Sequence, residues 1–226
     1  MAERIRSPKT GRMVLIGGQA YTDLVKEGYI SKNGKAKTNS LKHNSCNEEG
    51  IGRSKDIAKK IYDNPKLGCK SNYYKVVWLP KIDNNLFLSN YNFGEYMATK
   101  LDFSCIINVT NDPYRNKSPL TYISIGIEDD FEMDYKTFVK NVNTCTKKLK
   151  ECLKKGPTVV HCVEGMNRSV TCIVSYALRN CDSKVSMNDW VKYIKCRKAN
   201  RGYGGKWYTL TNPAFQNHLK TLHKIK

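Results

Sequence analysis

The sequence of 226 residues lacks a long apolar run. A membrane-spanning helix needs about 20 consecutive apolar residues, so none is expected. The first residues show no apolar stretch of the kind that forms a secretory signal, which also argues against export. The nine cysteines are odd in number and scattered, without Cys-x-x-Cys spacing. That excludes a zinc ribbon or a paired disulfide framework as the organising device, and reads as a reduced, intracellular chain. No metal or other cofactor is implied. Acidic residues are scarce, with 20 Asp+Glu against 39 Lys+Arg and a formal net charge of +19. This favours anionic partners such as phosphoproteins, nucleic acid or an acidic surface, although solvated lysine faces give the same composition. Residues 1–75 hold 16 Lys+Arg against 7 Asp+Glu, so the N-terminal third is the more basic part.

What is present centres on residues 157–169. A short apolar run, Pro157 to Val160, reads as a buried strand. His161, Cys162, Val163, Glu164, Gly165, Met166, Asn167, Arg168 and Ser169 follow, and then an apolar helical run from Val170 to Leu178. A strand, a tight loop and a helix N-terminus make an anion site, because backbone N–H groups converge and the helix dipole adds positive potential. The same field favours thiolate over thiol at Cys162. The planar fork of Arg168 can hold two oxygens of a phosphate. Thiolate, amide cradle and guanidinium together describe nucleophilic attack on a phosphate ester. The expected cradle is the set of N–H groups from Val163 through Arg168, with Gly165 allowing close backbone approach. Ser169 can donate to the sulfur and ease its departure, or can serve the helix N-terminus. A buried structural cysteine beside a chance arginine is the bland alternative.

The rest of the chain supplies a scaffold. Residues 75–79, 86–88, 104–109, 122–125 and 157–160 read as strands, with a turn at Asp83-Asn84-Asn85. Residues 93–100, 135–153, 169–178, 187–196 and 212–222 read as helices. Strands alternating with helices predict an α/β fold with a central, mostly parallel sheet flanked by helices and the loop at a strand's carboxyl end. Residues 1–30 read as a small turn–strand–turn motif around Val14-Leu15-Ile16. Residues 31–74 read as a basic, flexible linker with a helix over 54–63, capped by Ser54. That helix is expected to be solvated, with docking on the domain or on a second copy as the alternative. The domain is placed at 75–226. Deletion of residues 1–70 is expected to spare the turnover of small substrates.

The pattern His-Cys-x-x-Gly-x-x-Arg-Ser over residues 161–169 resembles the signature of cysteine-dependent protein phosphatases, most closely the dual-specificity branch of poxvirus type. Residues 82–90, Ile106-Ile107-Asn108-Val109 and Asn212-Pro213-x-Phe215-x-x-His218-Leu219 are similar to other stretches of that family, so the likeness spans about residues 75–226. It implies a cysteine-phosphatase-like fold and a cysteinyl-phosphate intermediate. In the family His161 orients the loop and tunes the thiolate. Asn108 braces the loop through hydrogen bonds, although it also suits a strand-end turn. The general acid comes from Ile125-Gly126-Ile127-Glu128-Asp129-Asp130, whose register resembles the family's acid loop and selects Asp129, with Asp130 next. These acids could also simply favour the following helix's N-terminus. Ser7-Pro8-Lys9-Thr10-Gly11-Arg12 and its surroundings resemble a short motif in proteins of large DNA viruses. That implies no activity and suggests a host-cytoplasmic protein, with packaging in a virion as a further option.

Two departures bear on substrate. Glu164 occupies a position where relatives carry a small residue, and its carboxylate is expected to repel highly charged ligands. The loop holds no lysine, which argues against phosphoinositides. The expected function is hydrolysis of phosphotyrosine and phosphoserine/threonine in phosphorylated proteins. One alternative is an RNA 5′-phosphatase, favoured by Asn167 and the basic N-terminal third. The other is a phosphate-reading binding module without turnover. A homodimer through the N-terminal extension is a further possibility.

Overall fold

The computed structural model describes residues 4–6, 13–15, 22, 48–64, 73–112, 120–199 and 208–225. Two units form along the chain, residues 1–44 and 45–226. In the first, β1 (Arg4–Arg6) pairs antiparallel with β2 (Met13–Leu15), Ile5 opposite Val14. The strand expected near Val14 is therefore present. The remainder of the N-terminal motif and most of the linker lie outside the described residues.

The second unit is built on a five-stranded sheet. Its strands are β3 (Val76–Trp78), β4 (Leu86–Ser89), β5 (Cys105–Asn108), β6 (Thr121–Ser124) and β7 (Thr158–His161), in the spatial order β3-β4-β7-β5-β6. Only β3 runs antiparallel, joined to β4 through the predicted turn. The other neighbours are parallel. β4, β5 and β7 are buried along their whole length, as strands covered on both faces must be. The register aligns Phe87, Val159 and Ile106 in one row and Leu88, Val160 and Ile107 in the next. Successive rows point to opposite faces.

The first row packs under α1 (Glu48–Asp63) and α2 (Tyr91–Tyr96), in a core that includes Ile57, Ala58, Ile61, Phe93 and Phe103. The other face meets α3 (Tyr135–Leu153), where Cys105 Sγ lies 3.9 Å from the Cys152 carbonyl oxygen. α3 packs on α4 (Arg168–Asn180), which in turn meets α5 (Met187–Ala199), and α6 (Pro213–Leu222) packs on α3 and α4. Asp134 caps α3 by accepting from the Thr137 N–H, and Asn212 caps α6 by accepting from the Phe215 N–H.

Three expectations change. The helix expected over 54–63 begins at Glu48, so Ser54 lies inside it and caps nothing. The Ser54 hydroxyl instead donates to Asn85 Oδ1 at 2.7 Å. The helix is docked rather than solvated: Ile57, Ala58 and Ile61 are at most 2% exposed. Arg53 also grips Asp102 in a two-point ion pair. The compact unit thus includes this helix, and deletion of residues 1–70 would strip apolar cover from Phe87 and Phe93. The helix expected over 93–100 is two short pieces, α2 capped by Asn90 and a 3-10 turn at Ala98–Lys100. Among the described residues, no helix is long and apolar enough to cross a membrane.

Candidate active site

The loop Cys162–Asn167 joins β7 to α4 at the sheet's carboxyl edge. Five of its carbonyl oxygens are held from outside: Cys162 O by His161 Nδ1 (3.3 Å), Val163 O by the Tyr91 N–H (3.0 Å), Gly165 O by Lys198 Nζ (2.6 Å), Met166 O by the Leu210 N–H (2.9 Å), and Asn167 O by the Thr171 N–H (2.8 Å). The N–H groups of the same five peptides belong to Val163, Glu164, Met166, Asn167 and Arg168. Among the described residues none of these five donates to the protein. The sixth, Gly165 N–H, points at Cys162 Sγ at 3.2 Å. Carbonyls tied outward and amides left over are the signature of a preformed anion cradle.

Gly165 allows a close backbone approach that a side chain would block. Its φ is +68°, and a Cβ there would lie 2.6 Å from the Ser89 carbonyl oxygen. The close approach is therefore to the end of β4 beneath the loop, in a conformation that a side chain disfavours.

Cys162 is 2% exposed, and its sulfur receives hydrogen bonds from the Gly165 N–H and from Ser169 Oγ at 3.3 Å. The Ser169 hydroxyl thus points at the sulfur. His161 is fully buried and packs edge-on against Tyr91. Burial, and secondarily the Arg168 charge, hold its pKa down at about 4, so near neutrality it is an uncharged ring that donates to the Cys162 carbonyl.

Arg168 donates through Nη1 to the Ile127 carbonyl at 3.2 Å. Among the described residues its buried Nε has no hydrogen-bond partner, and Asp129 Oδ2 lies 4.0 Å away. A guanidinium edge left unsatisfied beside the cradle is where a bound oxyanion would complete the bonding.

The structure brings Asp129 to this edge. Its two carboxylate oxygens accept from Asn167 Nδ2 (3.2 Å) and Asn212 Nδ2 (3.0 Å). Asp130 does something different: its carboxylate accepts from the Glu132 N–H and shapes its own turn. Asn167 Oδ1 in turn accepts from the N–H groups of Thr211 and Asn212. The segment 209–212 thus clamps loop and acid together. Sequence reasoning valued Asn167 for its backbone and did not give its side chain, or Asn212, this part.

Asn108 does not brace the loop directly. Among the described residues its amide bonds Asp112 O, the Tyr122 hydroxyl and Thr110, so it ties the turn after β5, the second of its two expected readings. The loop is braced instead by β5's backbone, through the Val109 N–H on His161 O at 3.0 Å.

Glu164 was expected to repel anions. Its carboxylate pairs with Lys75 Nζ at 2.9 Å, which offsets much of that repulsion. A second lysine, Lys198, lies fully buried under the loop. The loop has no lysine in sequence, yet the fold supplies two beside it. Lys198 continues the buried stripe of α5 through Trp190 and Ile194, four residues further on. A lysine in an apolar register was the available signal.

Residues 86–210 match the family described as dual specificity phosphatase, catalytic domain. Dual specificity protein phosphatase OPG106 of Monkeypox virus is 26% identical over 144 residues, covering 62% of this chain and 80% of the relative. A fowlpox virus homolog of dual specificity protein phosphatase H1 is 30% identical over 118 residues, covering 51% of this chain and 69% of that one. The crystal structure of DUSP15 is similar with a TM-score of 0.52 at 22% identity, over 66% of this chain and 86% of that one, a likeness of fold.

Proposed function

This chain belongs to the dual-specificity phosphatase family, and from that premise we propose that it hydrolyses phosphotyrosine and phosphoserine/threonine esters of proteins through a phosphorylated Cys162. The observation that carries this reading is the set of five loop amides whose carbonyls are all held from outside, around a sulfur that itself accepts two hydrogen bonds.

In the first step the Cys162 thiolate attacks phosphorus in line with the ester oxygen. The S–P bond forms as the P–O bond breaks, and the Asp129 carboxyl gives its proton to the departing oxygen. The loop amides and the Arg168 guanidinium bind the three equatorial oxygens, where charge builds in the transition state. Arg168 Nε is the open donor for this. In the second step a water attacks phosphorus, the Asp129 carboxylate takes its proton, and the S–P bond breaks. The Ser169 hydroxyl, 3.3 Å from the sulfur, stabilises the thiolate that leaves. Asn167 and Asn212 keep the Asp129 carboxylate at the ring through both steps.

The reading is tested with the full chain and its Cys162→Ser variant on three substrates: a phosphotyrosine peptide, a phosphoserine peptide and triphosphate-ended RNA. Phosphate release from both peptides is expected, with a loss of about 10⁴-fold or more in the variant, the scale seen when a nucleophile is removed. Release from RNA in preference to the peptides would replace the protein-phosphatase reading with RNA 5′-phosphatase. Binding of phosphopeptide without turnover would replace it with a phosphate reader.

A further inference from the structure

Five scaffold groups hold the loop carbonyls, and four of them are neutral: the His161 ring and three backbone N–H groups. The fifth is an ammonium. Lys198 Nζ lies 2.6 Å from Gly165 O and 3.4 Å from Thr209 Oγ1, and the side chain is 0% exposed. A buried charge is costly unless it has work against a partner. We propose that Lys198 is a positioning residue for phosphoester hydrolysis, one whose charge beneath the Gly165 carbonyl sets the strength of the anion cradle above it.

The argument runs through a single peptide. Gly165 C=O and Met166 N–H belong to one unit, so an ammonium on the oxygen withdraws electron density and makes the Met166 N–H a stronger donor. That N–H is one of the five without a protein partner. The same charge stands close enough to Cys162 for the cysteine to raise the Lys198 pKa. It therefore favours a phosphate anion held in the ring above it. Arg168 and Lys198 then act from different sides, Arg168 by direct contact with the anion and Lys198 through the loop's backbone.

The arrangement also makes the cradle pH-sensitive. Burial lowers the Lys198 pKa to about 7; Cys162 pushes it back up, and Lys75 from β3 pushes it further down. Lys75 is itself paired with Glu164, and the neighbouring Arg197 is turned away to Trp78 O and the Tyr62 hydroxyl. Raising the pH through this range removes the ammonium and weakens the ring. A bound dianion pulls the proton back, so binding near neutrality takes up a proton.

This inference rests on the loop being the phosphate site, and the experiment separates the two. Sulfate keeps a constant charge from about pH 6 to 9, so its binding reports on the protein alone. It is measured by calorimetry on the full-length Cys162→Ser chain, with and without Lys198→Met or Lys198→Arg. In the parent, affinity is expected to fall as pH rises through neutrality. With Lys198→Met it is expected to be about ten- to a hundredfold weaker at pH 6, the worth of a charge-assisted hydrogen bond, and flat with pH. Lys198→Arg, permanently charged, is expected to be flat while keeping affinity, and it decides the question should the Met variant fail to fold. In chains with Cys162 intact, kcat/KM for a small aryl phosphate is expected to fall with Lys198→Met by the same ratio. A pH slope unchanged by either replacement, or affinity within about twofold in a folded Met variant, overturns the role of Lys198. A parent that binds no sulfate and a native chain that turns over no aryl phosphate would instead overturn the phosphatase reading.

Discussion

Two loops leave the carboxyl ends of parallel strands and meet at the candidate site, and they are held in opposite ways. The loop after β7 is tied down through its backbone: Cys162, Gly165 and Asn167 are buried, and five of its carbonyls are bonded to groups from α2, α4, α5, the end of β7 and the segment before α6. The loop after β6 is open: residues 128–132 are all exposed, and Phe131 is 66% exposed. Its acid, Asp129, is held by two side-chain amides, Asn167 and Asn212, with Arg168 near by. The difference matches the two tasks that the proposed reaction gives them. A ring of donors must be in place before charge develops, because reorganisation would cost much of its benefit. An acid that gives and then takes back a proton needs to reach two different oxygens, and tethering by side chains leaves it that reach.

The comparison is sharpened most by exchanging the acids. Asp129→Ala is expected to lower kcat by about 10²–10⁴-fold on an alkyl phosphate, the usual worth of a general acid. Asp130→Ala is expected to cost no more than about threefold, because that carboxylate serves its own turn. Steady-state turnover of both variants decides it, and equal losses would break the assignment of Asp129.

The next effect tests the buried side. His161 has a folded-state pKa of about 4, below its ordinary value of 6.5. A depressed pKa means that the unfolded chain binds the extra proton first, so stability is full above about pH 6.5 and is lost as pH falls toward 4. The shift corresponds to about 3 kcal/mol at 1.36 kcal/mol per unit. Urea unfolding at pH 7 and pH 4 is expected to show that loss, and His161→Gln to lack it. An identical acid-induced loss in the variant would mean that other groups carry it.

The smallest effect tests the tether. Asn212→Ala removes one amide from Asp129 and the cap of α6. Stability is expected to drop by about 1 kcal/mol. Turnover is expected to drop about tenfold, while sulfate affinity is unchanged, since the ring is held independently. A parallel loss of sulfate affinity would show that the two loops are not separately held.

Much of this was legible in the residues. Cys162, Gly165, Arg168 and Ser169 stand in a strand–loop–helix context that local patterning reveals, and the apolar runs locate every strand of the larger sheet to within about two residues. α1 was missed as part of the core because its apolar positions sit between lysines and behind a polar stretch. Only the facing surface of Phe87 and Phe93 shows that it is covered. Asn108 resembled a brace because it ends the strand beside β7, but its amide turns to Thr110 and Asp112. Asn212 opens the stretch that reads as the last helix, and in the structure it caps that helix. Its second use, on Asp129, 83 positions earlier, has no local trace.

The chemistry proposed for the site follows from contiguous residues, because a cysteine, an amide loop and a helix N-terminus are neighbours along the backbone. For these, spacing alone is geometry. What completes the site comes from distant residues, and only tertiary packing could choose them. It brought the Asp129 carboxylate to the Asn167 and Asn212 amides, paired Glu164 with Lys75, and placed the Lys198 ammonium under Gly165. Charges and amides act through space over a few ångströms, so their partners are decided by which elements the fold stacks together.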